Sequence, residues 1–418
     1  MFICFFFILI LKYINNNLIL KFEEKNIYNN NNNLENNNFF EYLFGIELIS
    51  NVFLGNNKQK LIINFTFNFT EFLISKNFNF ENSKSFNFIN ENEIKFEFID
   101  FNYNCVYSKD NIIIDNKNIN NFPFLFVKNS NQNYDLNIVG LNIFNENNKK
   151  YNLIYNLKNL KKIKSGTFYF DFDNKKLIIG KFFKENELKF EKIFNDERLI
   201  LIFDEVLLEN KKIIKEKFKI EFNLNFEGFL GNFEYFYNLN NSYFNNYYKN
   251  NLCEISKINS FYGIICDNKI NKKTFPKLIF NHKILQKKFE FDFNDLFIEK
   301  NSKFYFKIFF NDFIINSEWI VGRTFLKKYK IIFDLDKQII AIENNEKKNM
   351  NNLKKIFFFL LLICFVLFLI LLKMYKNNPF IFKSKKYLKY YLMNEYKLNN
   401  INEEKNNNNN NNDNKNIK

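Results

Sequence analysis

Trp319–Ile320–Val321–Gly322–Arg323–Thr324–Phe325–Leu326–Lys327–Lys328–Tyr329 is the stretch from which the fold can be read. Its core is a pair of hydrophobic residues ending on a glycine. Glycine is scarce, with nine in 418 residues, so each one left carries information. The same cluster occurs once more, as Asn137–Ile138–Val139–Gly140–Leu141. Upstream of each lies a similar strand, Asn64–Phe65–Thr66–Phe67–Asn68–Phe69–Thr70–Glu71–Phe72–Leu73 and Glu221–Phe222–Asn223–Leu224–Asn225–Phe226–Glu227–Gly228–Phe229–Leu230. Aligned without gaps, these place Thr66 on Asn223 and Asn68 on Asn225. The pattern predicts an internal duplication, two related β-lobes in tandem.

Alternation supports the β assignment. Phe65, Phe67 and Phe69 interleave with Asn64, Thr66 and Asn68, and Phe168, Phe170 and Phe172 with Tyr169 and Asp171. Such period-2 runs bounded by Asn, Asp and Lys clusters read as strands. No long amphipathic helix is predicted before residue 350, so the expected fold class is all-β.

Composition excludes several functions. The formal net charge is +15, yet Arg occurs only at Arg198 and Arg323 and the lysines are scattered among asparagines. That reads as solvated surface, with no nucleic-acid partner, because a nucleic-acid footprint gathers Arg and Lys on one face. A single histidine, His282, leaves hydrolytic triads one base to use, and its setting reads as a surface or loop position. Cys105, Cys253, Cys266 and His282 lack the short ligand spacings of zinc sites, so neither a metal nor a cofactor is expected.

Two apolar segments predict membrane topology. Residues 1–11, MFICFFFILIL, have signal-peptide length, so residues 1–15 read as a leader. Residues 356–372 are 17 apolar residues between Lys354, Lys355 and Lys373. At about 1.5 Å per residue they span roughly 26 Å, enough for the hydrocarbon of a bilayer. The expected arrangement is a single-pass type I protein of the secretory pathway or the cell-surface or endosomal membrane. Its β-domain is lumenal or extracellular, and residues 373–418 form a Lys/Asn-rich cytosolic tail. Residues 16–40 read as an Asn-rich spacer. An oxidising compartment permits a Cys253–Cys266 disulfide. In the tail, Asn378–Pro379–Phe380 and Tyr390–Tyr391–Leu392–Met393 look like sorting patterns, and Lys383, Lys385, Lys386 and Lys389 could rest on anionic lipid.

Together these motifs resemble the pepsin-like aspartic proteases, over roughly residues 48–343. The opening stretch, followed by Ile332–Phe333–Asp334 and Ile339–Ile340–Ala341, is similar to that family's closing pattern W-I-L-G-x-x-F-L-x-x-Y…F-D…I-G-x-A. Tyr134–Asp135–Leu136–Asn137–Ile138–Val139–Gly140–Leu141 resembles F-D-G-I-L-G-L, and Val52–Phe53–Leu54–Gly55 with Gln59 the family's opening. Cys266 and Phe275–Pro276–Lys277–Leu278–Ile279–Phe280 look like a second-lobe cysteine and strand. The resemblance implies an N-terminal lobe over 41–165, a C-terminal lobe over 166–345 and a cleft between them. Gly140, Trp319 and Gly322 would support the loops at its floor.

That family's chemistry needs one aspartate per lobe, and here the positions fall on Thr66 and Asn223. Neither titrates near working pH, so neither can act as a general base. The flap also departs: residues 98–110 lack a Tyr-Gly pair, and Phe98 falls near the tyrosine position. The expected function is therefore a catalytically silent, membrane-anchored homologue that binds an extended peptide or protein in the cleft, or serves as a scaffold. Two alternatives stand beside it. One is a divergent active aspartic endopeptidase using other acids, such as Asp100 and Asp204. The other is an unrelated β-rich membrane adhesion module.

Overall fold

The computed structural model describes residues 17–26, 45–98, 101–130, 137–142, 147–184, 188–192, 198–214, 216–258, 261–311, 318–343, 360–361, 363–370, 373 and 389–395. The chain is mostly β and divides into two units, Met1–Asn344 and Asn345–Lys418. The strands of the first unit form where side chains alternate. In Gln59–Thr66, Leu61, Ile63 and Phe65 are buried, whereas Lys60 and Ile62 point to solvent. Ile62 is 51 % exposed despite its apolar side chain, because a strand's two-residue period assigns the face before hydrophobicity can.

Four sheets result. An eight-stranded sheet runs in the order 23–26, 46–54, 59–66, 137–140, 72–74, 117–130, 101–114, 87–98. A nine-stranded sheet follows 200–203, 218–222, 318–321, 229–231, 308–311, 261–267, 303–306, 297–300, with 253–258 paired to 261–267. A four-stranded sheet contains 211–214, 205–208, 278–282 and 287–291. The six-stranded sheet gathers distant parts of the chain, in the order 18–21, 176–179, 167–171, 331–334, 339–343, 188–192.

The same wiring recurs in the two larger sheets. In the first, Gln59–Thr66 pairs in parallel with Asn137–Gly140, Phe65 opposite Val139 and Thr66 opposite Gly140. In the second, Phe218–Phe222 pairs in parallel with Glu318–Val321, Phe222 opposite Val321. Phe72 then pairs antiparallel with Val139, and Phe229 with Val321. Leu73 lies parallel to Leu125, and Leu230 to Phe309. Phe72 follows Thr66 at the distance that Phe229 follows Asn223 (72 − 66 = 229 − 223 = 6). Backbone pairing thus reproduces the ungapped alignment of the two halves.

The six-stranded sheet has unlike faces. Phe168, Phe170, Phe333 and Ile340 join the main core, while Tyr169, Ile332, Ala341 and Phe183 form a thin cluster on the other side. Its first strand, Leu18–Lys21, corrects the spacer expected over 16–40. Residues 18–21 and 23–26 are strands in two different sheets, and Leu18, Leu20 and Phe22 are buried. Alternating apolar side chains override the Asn-rich surroundings there; residues 27–44 lie outside the described residues.

Cys253 and Cys266 face each other on paired antiparallel strands and are joined by a disulfide. Replacing both with serine is expected to cost about 3 kcal/mol at 25 °C, the chain-entropy value for a loop of this size. A shift of the urea midpoint without a change in slope would check it.

The expected leader, residues 1–15, lies outside the described residues. Of the expected membrane segment 356–372, residues 360, 361 and 363–370 are described, as helix with exposed apolar side chains. Among the described residues, no helix is long and apolar enough to cross a membrane.

Candidate functional site: a duplicated pair of loops

Each parallel strand pair ends in a loop of the same construction, residues 66–71 in one half and 223–228 in the other. The Asn68 N–H donates to Thr66 Oγ1 at 3.1 Å, and the Asn225 N–H to Asn223 Oδ1 at 2.7 Å. The loop ends are tied alike: the Gly140 N–H donates to Glu71 O (2.9 Å), and the Gly322 N–H to Gly228 O (2.8 Å). These two glycines are needed because loop backbone lies against them. A Cβ on Gly140 would stand 2.5 Å from Phe69 O, and one on Gly322 2.4 Å from Phe226 O.

Phe67 meets the ring of Phe333 at 5.2 Å between centroids, and Phe222 meets the same ring at 5.6 Å. Arg323, fully buried, donates from Nη1 to Ile46 O (2.7 Å) in the first half and to Leu224 O (3.3 Å) in the second loop. Phe333 thus meets the first loop and the strand that leads into the second, and Arg323 links the second loop to the strand Ile46–Leu54. Thr66 is buried and Asn223 half-buried.

The chemistry open to them follows from those bonds. Thr66 and Asn223 each accept a backbone N–H on oxygen, which leaves the Thr66 hydroxyl and the Asn223 amide as donors. Each can donate to a carbonyl oxygen. The pair contains no base that could take a proton from water.

Behind the second loop lies an ionic cluster that sequence reasoning missed. Arg323 Nε donates to Glu227 Oε2 (3.2 Å), and Lys327 Nζ reaches Glu227 (3.0 Å) and Glu24 (3.0 Å). Lys307 Nζ donates to Thr324 Oγ1 (3.4 Å), which lies 3.4 Å from Glu227 Oε1. Burial acts to raise the Glu227 carboxyl, but Lys327, Arg323 and Lys307 together outweigh it and hold it below the ordinary range. Burial also pulls the Lys307 ammonium below its usual value. A signal was present in sequence: Glu227, Lys307 and Arg323 each interrupt an apolar run.

Other predicted residues fall elsewhere. Trp319 is fully buried, but it packs edge-on against Tyr235 (5.3 Å) and Phe280 (5.0 Å). These contacts place it in the second-half core. His282 is no surface residue: it is fully buried on the strand Leu278–His282. Its Nδ1 accepts the Leu285 N–H (3.2 Å), and Nε2 lies 2.5 Å from Glu191 Oε2, outside hydrogen-bond angles. Strand alternation puts it on the same face as Phe280, and the Leu285 N–H satisfies one of its two ring nitrogens.

Asp204 accepts the Lys283 N–H (2.7 Å) where the two inner strands of the four-stranded sheet end, and Asp100 lies outside the described residues. Glu71 and Glu227, which do lie in the loops, are both buried. The hairpin of Asn87–Phe98 and Phe101–Ile114, closed by Phe98 opposite Phe101, occupies the region where a flap is expected. Among the described residues, no His, Cys, Asp and Glu group could hold a metal.

No family model and no curated protein matches this chain.

Proposed function

We propose that the chain is a catalytically silent homologue of the pepsin-like aspartic proteases. Its bilobal β-domain is membrane-anchored, and it binds an extended peptide or protein segment between the lobes. The observation that carries this reading is the paired loops. Their wiring and close glycine contacts are kept in both halves, while the two positions that would bear catalytic carboxylates are Thr66 and Asn223. A loop built alike in both halves with no acid at either position suits recognition. Main-chain carbonyls of an extended ligand could accept from the Thr66 hydroxyl and the Asn223 amide.

A divergent active endopeptidase would need another pair of acids. Glu227 is compensated by three cations and Asp204 is engaged in a turn, which argues against both as a base poised on water. An unrelated adhesion module gives no reason for the repeated register. Secretory targeting and the anchor at 356–372 remain part of the proposal, on the sequence argument.

The full-length chain is expected to cleave no peptide in a mixed library between about pH 3.5 and pH 7.5, with or without pepstatin. It should nevertheless retain some of those peptides, with an affinity that Thr66→Ala or Asn223→Ala lowers. Pepstatin-sensitive hydrolysis would overturn the reading, and folded protein retaining no peptide would overturn the binding role.

A further inference from the structure

Away from the paired loops, a cavity of about 150 Å³ lies on the six-stranded sheet. Thr167, Asp334 and Ile339 share the parity of Tyr169, Ile332 and Ala341, so it opens on the face that the main core leaves uncovered. Its walls are apolar: Phe182, Phe183, Leu188, Phe190 and Ile339. Two of these, Phe182 at 66 % and Phe190 at 44 %, are unusually exposed for their size.

The floor is polar and of one kind. Asp334 is 6 % exposed, and its Oδ1 accepts the N–H groups of Asp336 (3.0 Å) and Lys337 (3.1 Å). Among the described residues no cation is within ion-pair distance of it. Asp336, also at the cavity, already pairs with Lys158 (2.7 Å). Ser165 and Thr167 are buried, with their hydroxyl oxygens 2.8 Å apart. Thr167 donates to Lys181 O (2.5 Å), and the Ser165 hydroxyl has Thr167 Oγ1 and Lys181 O (3.2 Å) as its acceptors. Both hydroxyl hydrogens are thus committed within the protein, and what they can offer the cavity is lone pairs. A floor of acceptors with one unpaired carboxylate lacks a partner that brings several donors and a positive charge.

We propose that this cavity binds a primary ammonium group carried on a short apolar or aromatic body. The ammonium would sit on Asp334 and the Ser165 and Thr167 oxygens, with the body between Phe182, Leu188 and Phe190. Burial and the neighbouring Asp336 raise the Asp334 carboxyl above its ordinary value, against the lowering by its two backbone donors and the more distant Lys337 charge, and an ammonium beside it would oppose that rise. On that floor an anionic head would meet acceptors only, and a neutral alcohol offers one hydrogen where an ammonium offers three. Lys164 and Lys337, at the mouth, are exposed, so water screens their repulsion of an entering cation. This inference does not depend on what the paired loops do.

The test is titration of the full-length chain with 2-phenylethylammonium, 2-phenylethanol and phenylacetate, followed by ligand-observed NMR and calorimetry. The ammonium should saturate one site and bind at least about tenfold more tightly than either isostere. Asp334→Asn keeps an oxygen for the two backbone N–H groups and should weaken the ammonium about tenfold or more, leaving the alcohol nearly unchanged. Phe182→Ala removes an exposed ring, so folding is not at stake, and it should weaken the ammonium severalfold. No saturable binding, equal affinity for the three probes, or an unaltered affinity in the Phe182→Ala protein would each overturn the assignment.

Discussion

Replacing Arg323 with methionine is expected to lower the stability of the β-domain by about 3–5 kcal/mol, the usual cost of removing one partner from a buried ion pair. The side chain is fully buried, and its guanidinium spans Glu227, Leu224 O and Ile46 O. Methionine matches much of the volume but supplies no donor. Glu227 would keep Lys327, while two carbonyl oxygens, one from each half, would lose their donor. Urea unfolding of both proteins measures the difference; a loss under about 1 kcal/mol would mean that water replaces the guanidinium.

The cluster also fixes a pH dependence. Glu227 is held below its ordinary value in the folded protein. Its contribution is therefore present above the unfolded value of 4.5 and is lost as pH falls through the lower folded value. Glu227→Gln should be less stable at neutral pH and should lose less on acidification through that window. A variant whose stability falls as steeply as the parent's would place the acid sensitivity elsewhere.

The second large effect is expected at Gly228. A Cβ there would stand 2.0 Å from Lys307 O, and that oxygen already accepts the Phe229 N–H at 2.9 Å. Neither strand can move without breaking the parallel pairing of Phe229 with Ile308. Gly228→Ala should therefore reach or exceed the about 1–3 kcal/mol typical of overpacking. Gly166→Ala is the milder comparison: its Cβ would meet the Asp336 carboxylate, a side-chain group that can shift at the expense of its bonds to the Gly166 N–H and Lys158, where Gly228 meets backbone. Equal losses in the two variants would show that the backbone at Gly228 yields more readily than its pairing implies.

Much of this was legible in the chain itself. The duplication could be read because the two loop sequences keep the same length, so one ungapped alignment carries Thr66 to Asn223 and Phe72 to Phe229. Gly140 and Gly322 could be read because a composition poor in glycine retains it where backbone touches backbone. His282 was misread because local context says nothing of which face a strand turns inward. The strand Leu18–Lys21 was hidden by asparagines on either side and by a partner, Lys176–Ile179, more than 150 residues away.

By itself, then, the sequence determined the β class, the repeat and the absence of acids at both loop positions. All three depend on short-range periodicity or on residue identity, which need no knowledge of partners. Only the tertiary structure decided that Phe67 and Phe222 share the ring of Phe333, that Arg323 joins the halves, and that Asp334 underlies a cavity. Those facts join residues far apart in the chain, and burial, which sets the energy of a charge, is a property of the assembled sheets rather than of any segment.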